Sequence, residues 1–220
     1  LVGSSGPITA LDLAPDNVAV VQERIAGWDL PVPVHAHVGT LVDLPFPAGQ
    51  FDAVWCANAT QYLSDAELAT ALREFRRVVR PDGLVAIKDA VVPMRIEPTP
   101  PFFMDRYFDA SWRSSPTTGF RAPGAYRGPA LRTWLREAGY AEVWARSTII
   151  ERWAPLRPVE QGFWRDALRS IAGRALHLEL PAADLALYRE VSDPEGAAAF
   201  VARPDFYSRS VNIVAVGRVV

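Results

Sequence analysis

The stretch Ile8-Thr9-Ala10-Leu11-Asp12-Leu13 decides the fold, because it is an apolar run that ends in a carboxylate. Pro15 follows closely and suits the first turn of a helix. In α/β folds that bind nucleotides, an acidic residue at the carboxyl end of such a buried strand holds ribose hydroxyls. The stretch therefore predicts a strand–helix unit with Asp12 at a ligand-binding edge.

Segments typical of strands and of helices alternate along the rest of the chain. Further strands are predicted at 34–38, 51–56, 84–89, 142–150 and 211–216. Ser64-Asp65-Ala66-Glu67 forms a capping box, in which the serine and the glutamate satisfy free amides at a helix start. Apolar residues at 68, 72, 75 and 79 continue that helix along one face. The alternation favours an α/β fold with a doubly wound, parallel sheet that helices cover on both faces.

The composition limits the function classes that fit. The chain has 220 residues, which suffices for one domain with a substantial core. Its 23 basic and 25 acidic residues leave a net charge of −2, which offers no electrostatic reason to expect a nucleic-acid partner. The apolar runs are too short for a membrane span, so we expect no membrane partner. One cysteine, Cys56, excludes an internal disulfide framework and favours a reducing, cytoplasmic location.

A resemblance to a known family rests on two further stretches, Leu44-Pro45-Phe46-Pro47-Ala48-Gly49-Gln50-Phe51-Asp52-Ala53-Val54 and Arg77-Val78-Val79-Arg80-Pro81-Asp82-Gly83. They resemble the "LPF…FD.V" and "RV(L/V)(K/R)PGG" patterns of class I S-adenosylmethionine (SAM) methyltransferases, especially the ubiquinone/menaquinone-biosynthesis and natural-product type. The resemblance implies a single Rossmann-like SAM-methyltransferase domain over residues 1–220, with SAM as the cofactor.

Such enzymes begin with a strand and a glycine-rich loop, and the strand that ends in Asp12 is normally the second of the sheet. Gly3-Ser4-Ser5-Gly6 stands in the wrong place to be that loop. We therefore expect the first strand and the glycine-rich loop to be missing upstream of residue 1.

The resemblance also implies a set of cofactor-binding residues at the strand ends. Asp12, with Leu13 beside it, would bind the ribose hydroxyls. Thr40 stands where the family usually has an aspartate that accepts from the adenine amino group, and a neutral hydroxyl is the weaker acceptor. The remaining expected contacts are the Leu41 amide at adenine, and Ala57, Asn58 and Gln61 near the methionine part. Asn58 can equally cap the loop after its strand.

Two insertions interrupt the alternating pattern. Residues 93–128 are rich in proline and aromatic residues, which predicts a lid after the 84–89 strand. Its rings, Phe102, Phe103, Tyr107 and Trp112, are the expected substrate contacts, although they can equally form the core of the insertion. Residues 155–205 predict a helical insertion before the last strand.

Three residues are candidates for acid–base catalysis. Asp89 ends a strand at the edge where ligands bind in parallel sheets. Tyr62 follows the 51–56 strand at the expected mouth of the site, where packing is the alternative role. His177 lies in the helical insertion, where a structural histidine is the alternative. We expect no metal site, because His35 and His37 have no further ligand at suitable spacing.

The predicted reaction is methyl transfer from SAM to an oxygen, nitrogen or carbon of a small, fairly apolar acceptor, within natural-product biosynthesis, by a monomer or homodimer. Two alternatives stay open. A SAM-fold protein that no longer methylates, such as a cyclase or a binding module, fits the departure at Thr40. A nicotinamide-dependent dehydrogenase would also use Asp12, but the two family-like stretches speak against it.

Overall fold

The computed structural model describes residues 6–114 and 124–220, with residues 91–93 described by their backbone alone. Gly3-Ser4-Ser5 and the part of the predicted lid at 115–123 lie outside the described residues. The strands are β1 (Ile8–Asp12), β2 (Val34–Val38), β3 (Phe51–Ala57), β4 (Val79–Glu97), β5 (Ala141–Trp153) and β6 (Tyr207–Arg218). The helices are α1 (Pro15–Ala26), α2 (Asp65–Val78), α3 (Phe103–Arg113), α4 (Leu131–Glu137), α5 (Pro158–Ala175), α6 (Ala182–Ser192) and α7 (Pro194–Val201).

The strands form two sheets among the described residues. β1 and β2 pair in parallel as a two-stranded sheet. The four-stranded sheet has the order β3-β4-β6-β5, in which β3 and β4 are parallel and β6 is antiparallel to both neighbours. The predicted α/β class is confirmed. The prediction of a parallel sheet is wrong for β6, which is antiparallel to both of its neighbours.

Three strands extend further than their sequence patterns indicate. β4 runs from Val79 to Glu97, where the sequence predicted 84–89, and it includes the Arg80-Pro81-Asp82-Gly83 stretch that ends α2. β5 and β6 lengthen with it, because the ends of β4 and β5 pair with β6 as far as Tyr207. The extended end of β4 packs against helices α3 and α5 to α7.

Helix α2 begins where the capping box predicted. The Ser64 Oγ accepts from the Glu67 amide at 3.3 Å, and the Glu67 carboxylate accepts from the Ser64 amide at 2.8 Å. The helix then buries Leu68, Leu72 and Phe75 completely against the sheet. No helix in the described ranges is long and apolar enough to cross a membrane.

The buried apolar residues form two cores. The first lies between the four-stranded sheet and helices α2 and α4. The second, which we call the cap core, joins α3 to α5, α6 and α7, to the far end of β4 and to Phe206, which directly precedes β6. Helices α5 to α7 lie within the residues predicted as the helical insertion. Because the cap core buries part of the predicted lid, only the lid residues outside it are exposed to a substrate.

Candidate active site

A cleft of about 220 Å³ opens between the two sheets. Its lining comes mainly from β1 and β3, with α2 behind them: Thr9, Leu11, Asp12, Leu41, Leu44, Phe46, Phe51, Ala53, Val54, Trp55, Cys56, Ala57, Ala59, Phe75 and Val78. Of the predicted cofactor residues, Asp12, Leu41 and Ala57 line this cleft. The cleft continues from these strand ends along the whole of β3 to Phe51.

Asp12 lies exposed at the carboxyl end of β1, as the sequence pattern indicates. Its Oδ1 accepts from the Ala14 amide at 2.8 Å and from the Asn17 side chain at 3.1 Å. Both bonds orient the carboxylate at the start of α1, and they leave its Oδ2 without a hydrogen bond from the described residues. Asp12 therefore combines a local structural role with one free charged acceptor. Leu13 is 74 % exposed beside it.

Thr40 and Leu41 follow β2 and form the outer edge of the cleft. Thr40 makes an isolated bridge to Asp43, and its Oγ1 accepts a long bond of 3.4 Å from the Val42 amide. Leu41 is half-buried and faces the cleft. The hydroxyl of Thr40 is thus held mainly by its own turn.

Asn58 closes β3 with the left-handed φ of 56°, a conformation that asparagine tolerates better than most residues. Its Oδ1 accepts from the Lys88 ammonium at 2.7 Å. Gln61 donates from Nε2 to the Asn58 carbonyl at 3.1 Å. The loop after β3 is therefore held by side chains from both of its flanks, and the amide of Asn58 is engaged in that network.

Asp89 lies beneath the 3₁₀ turn Thr60–Tyr62 and lines neither cavity of the site. It is 2 % exposed, and its Oδ2 accepts a hydrogen bond from the hydroxyl of Thr60, which is equally buried. Burial raises the pKa of Asp89, while the Thr60 bond and the charges of Lys88 and Arg127 oppose this shift. This position does not fit the predicted acid–base role, because the Asp89 carboxylate is bonded to Thr60 in the interior and faces neither cavity.

Asp89 also affects the single cysteine. Burial, reinforced by the negative charge of Asp89, raises the pKa of Cys56 to about 12. The thiol is 6 % exposed in the middle of β3. Cys56 is therefore an uncharged core residue at neutral pH, as expected of a buried cysteine.

Arg127 is a site residue that sequence reasoning missed. Its buried guanidinium donates to the carbonyls of Thr60 at 3.2 Å and Leu63 at 2.8 Å and pairs with Asp65 at 2.7 Å. It also lies over the Trp134 ring, 5.6 Å from the centroid. The three hydrogen-bond partners are more than 60 residues away in the sequence, so no local pattern indicates the role of Arg127.

Arg127 ties the end of the lid to the mouth of the cleft. The Gly124 amide donates to the Gln61 carbonyl at 2.7 Å. A Cβ at Gly124 would stand 2.6 Å from the Arg127 guanidinium and 3.0 Å from that carbonyl, so the approach requires glycine. Segment 124–127 therefore packs directly on the 3₁₀ turn after β3.

A second cavity of about 470 Å³ lies under this segment. We call it the lid cavity; it is lined by Asp105, Phe108, Asp109, Trp112 and Tyr126. The rings of Trp112 and Tyr126 meet edge to face at 5.2 Å. Burial, followed by the charges of Asp109 and Asp105, raises the pKa of Tyr126. The cavity thus combines aromatic walls with two carboxylates.

The predicted substrate residues separate into two groups. Trp112 lines the lid cavity, and Phe102 is 65 % exposed at the start of α3. Phe103 and Tyr107 are 3 % and 1 % exposed, and they pack against Tyr188 in the cap core. Their predicted substrate contact is corrected to a structural role, because α3 turns this face towards the insertion helices.

The two other catalytic candidates are accessible at different places. Tyr62 is 57 % exposed at the end of the 3₁₀ turn, beside the cleft mouth. His177 is exposed just after α5 and lines neither the cleft nor the lid cavity. Among the described candidates, only Tyr62 presents an acid–base group at the mouth.

Comparison with known proteins agrees with this geometry. Residues 2–87, which contain β1 to β3, α2 and the start of β4, match the family model described as "Methyltransferase domain". This part of the chain is therefore similar to SAM-dependent methyltransferases. The chain is 31 % identical over 107 residues to the demethylmenaquinone methyltransferase of Desulfitobacterium hafniense, and 30 % identical over 106 residues to that of Staphylococcus aureus.

These matches cover 49 % and 48 % of this chain, and 40 % of each relative. The chain thus matches less than half the length of the curated relatives. Among solved structures, YcgJ from Bacillus subtilis has a TM-score of 0.52 and 17 % identity, over 96 % of this chain and 81 % of that one. Phosphoethanolamine N-methyltransferase 2 of Haemonchus contortus, solved with SAM, has a TM-score of 0.50 and 15 % identity, over 96 % and 43 %. At these identities the structures show the shared fold.

Proposed function

We propose that the protein binds SAM at the end of the cleft that Asp12, Leu41 and Ala57 line, and transfers its methyl group to a small acceptor. The observation that carries this proposal is Asp12, whose exposed carboxylate keeps one oxygen free at the strand edge where this family binds its cofactor. Leu41 and Ala57 line the same end of the cleft. The residues present therefore fit a nucleoside with two adjacent hydroxyls.

The proposed cofactor contacts follow from this placement. Asp12 would hold the ribose, Thr40 and Leu41 the adenine, and Ala57 and Gln61 the methionine part. Bound SAM would supply a methyl group on a sulfonium, which is already a good leaving group. The chain would then contribute alignment of the two reactants and exclusion of water.

The lid cavity is the proposed place for the acceptor. Segment 124–127 belongs to both places, because Tyr126 lines the lid cavity and Gly124 donates to the Gln61 carbonyl beside the cleft. Phe108, Trp112 and Tyr126 offer ring surfaces, which suit a small and fairly apolar acceptor. Phe102 would add a further exposed ring at the start of α3.

A second candidate acceptor follows from the carboxylates of the lid cavity. Asp105 and Asp109 stand one helical turn apart on α3, next to Trp112 and Tyr126. Carboxylates and ring faces together attract cations. A basic amine with an apolar body is therefore the alternative to a neutral oxygen or carbon acceptor.

Tyr62 is the proposed acid–base residue for acceptors that must lose a proton. Asp89 would act through Thr60, by holding the 3₁₀ turn that carries Tyr62 and Gln61. His177 would contribute to acid–base catalysis only if the acceptor extended over the helices of the cap core.

The test measures SAM binding by calorimetry and methyl transfer from radiolabelled SAM to two acceptors of one ring system, a phenol and a primary amine. Trp112→Ala should raise the KM of the acceptor several-fold and leave SAM affinity unchanged. Trp153→Ala is the matched control, because Trp153 is 66 % exposed on β5 and lines neither cavity. Asp105→Asn should lower transfer to the amine selectively if the acceptor is cationic.

The alternatives predict other outcomes of the same test. SAM binding with no transfer to either acceptor would favour a SAM-fold protein that does not methylate. Binding of NAD in preference to SAM would favour a dehydrogenase. Equal effects of Trp112→Ala and Trp153→Ala would contradict the placement of the acceptor in the lid cavity.

A further inference from the structure

The two stretches that carry the family resemblance, 44–54 and 77–83, lie against each other in the structure. The first includes residues 44–49, which we call the wall loop because two of them, Leu44 and Phe46, line the cleft. The second stretch begins in the last turn of helix α2. The end of α2 is therefore placed to hold one wall of the cleft.

Arg77 holds the wall loop through both its side chain and its backbone. Its guanidinium donates to the Leu44 carbonyl at 2.9 Å and to the Phe46 carbonyl at 2.6 Å. The Arg77 carbonyl accepts from the Gly49 amide at 2.9 Å. A single residue of α2 thus fixes the wall loop at its start, in its middle and at its end.

Glu74 lies one helical turn before Arg77 and completes the support. Its carboxylate forms a bidentate pair with the Arg77 guanidinium, at 2.8 and 2.7 Å. The same carboxylate accepts from the Leu44 amide at 2.9 Å. The hydrogen bond from Arg77 lowers the pKa of Glu74, so the carboxylate stays charged at neutral pH. Both backbone groups of Leu44 are therefore bonded to a charged pair.

The wall loop places the Phe46 ring between the two sheets. The ring meets His37 of β2 edge to face at 5.8 Å, and it meets Phe51 of β3 in the same way at 5.1 Å. Leu41, the proposed adenine contact, lies shortly before the loop and lines the same cleft. The wall loop therefore borders the proposed adenine position.

We infer that Arg77 is a positioning residue for the cofactor, which keeps the wall loop in the conformation that the adenine part of SAM requires. This inference rests on the proposed function. Arg77 is not part of the cleft lining, so it acts through the loop backbone and does not touch SAM. If the loop kept this conformation for a tenth of the time, the affinity for SAM would fall about tenfold.

Arg80 offers a matched control from the same stretch. It pairs with Asp52 at 2.7 Å, and both side chains are exposed. Exposed pairs contribute little to stability. Neither Arg80 nor Asp52 lines the cleft. Arg80→Met therefore removes a guanidinium close to Arg77 and leaves the bonds to the wall loop in place.

The test measures SAM affinity by calorimetry and exchange of the Leu44 amide by NMR. Arg77→Met should weaken SAM binding about tenfold and accelerate exchange of the Leu44 amide, because the loop then opens more often. Arg80→Met should change neither quantity. The exchange measurement needs no ligand, so it reports the loop separately from the cofactor.

Methyl transfer to the phenol or the amine separates positioning from general damage to the fold. In Arg77→Met the KM for SAM should rise while kcat at saturating SAM stays close to that of the parent protein, since only cofactor binding depends on the loop. Glu74→Gln keeps an acceptor for the Leu44 amide and weakens the pair with Arg77. It should show the same change in KM to a smaller extent, and it replaces Arg77→Met if that variant does not fold.

The outcomes distinguish this inference from the proposed function. A parent protein that does not bind SAM would overturn both. SAM binding by the parent that Arg77→Met leaves unchanged, or equal losses in Arg77→Met and Arg80→Met, would overturn the role of Arg77 alone. A fall in kcat with an unchanged KM for SAM would overturn that role as well.

Discussion

The Asp89 carboxylate accepts a hydrogen bond from the Thr60 hydroxyl, and both side chains are almost completely buried. The other oxygen of Asp89 has no partner among the described residues. This pair links the fourth strand of the chain to the turn that carries Gln61 and Tyr62. A buried hydrogen bond thus holds the turn at the mouth of the candidate site.

The first prediction concerns the pH dependence of stability. The pKa of Asp89 is raised in the folded protein, so the folded state keeps its proton to higher pH than the unfolded chain. This group should therefore lower the free energy of unfolding as pH rises from about 4 to its raised folded value. Asp89→Asn should remove that slope in urea melts at successive pH values. A slope identical to that of the parent protein would contradict the prediction.

The second prediction separates the two roles of Asp12. Asp12→Asn keeps an acceptor for the Ala14 amide but loses the charge, and Asp12→Ala loses both. Calorimetry should show SAM binding weakened by about tenfold or more in each, which corresponds to a loss of about 1.5–3 kcal/mol. Asn17→Ala is the control, because it removes a partner of Asp12 while the carboxylate remains. Equal SAM affinity in all three variants would mean that the ribose binds elsewhere.

The third prediction concerns Thr40 at the edge of the cleft. Thr40→Asp should bind SAM as tightly as the parent or more tightly, because a carboxylate is a stronger acceptor for the adenine amino group. Thr40→Val, which has nearly the same shape, should not tighten binding. A large loss of affinity in Thr40→Asp would show that the adenine does not reach this position.

The fourth prediction concerns the bidentate pair between Arg106 on α3 and Asp184 on α6, at 2.5 and 2.6 Å. The Asp184 side chain is 1 % exposed, whereas that of Arg106 is 31 % exposed. Arg106→Met should therefore lower the free energy of unfolding by about 3 kcal/mol, because it leaves the buried Asp184 carboxylate without a partner. Asp184→Leu should lower it by less.

Urea unfolding measures this loss, and a second substitution tests its cause. Arg106→Met combined with Asp184→Leu should be more stable than Arg106→Met alone. Arg113→Met is the control on the same helix, since its pair with Asp109 is exposed and should contribute less than about 1 kcal/mol. A double variant no more stable than Arg106→Met would contradict the buried-charge explanation.

The fifth prediction concerns the reactivity of Cys56. Because burial raises its pKa to about 12, the thiol should resist alkylation by iodoacetamide at pH 7.5 and still resist it at pH 9. Mass spectrometry should detect full modification only after unfolding in urea. Rapid modification of the folded protein would show that the middle of β3 opens readily.

Much of the first ninety residues could be predicted from local patterns. The run 8–13, the capping box at Ser64 and the apolar spacing of α2 each depend on neighbours within a few residues. For the same reason the strand-end position of Asp12 followed from its own segment. The lengths of β4, β5 and β6 could not be predicted, because long-range pairing with β6 extends them beyond their apolar centres.

The roles of the site residues depended on contacts that sequence does not display. Asp89 and Tyr62 looked alike as polar candidates at strand ends, but one is buried under the turn and the other is exposed. Phe103 and Trp112 belong to one aromatic segment, yet α3 directs the first into the cap core and the second into the lid cavity. The sequence around Arg127 contains no pattern that predicts its role, because its hydrogen-bond partners lie more than 60 residues away.

The sequence by itself determined the fold class and the strand-end position of Asp12, because these follow from short-range periodicity and turn chemistry. The resemblance to SAM methyltransferases rested instead on the stretches 44–54 and 77–83. Only the tertiary structure decided which polar side chains lose water, which rings face a cavity, and how the strands divide between two sheets. Those properties depend on burial and on backbone pairing between segments that are distant in the sequence.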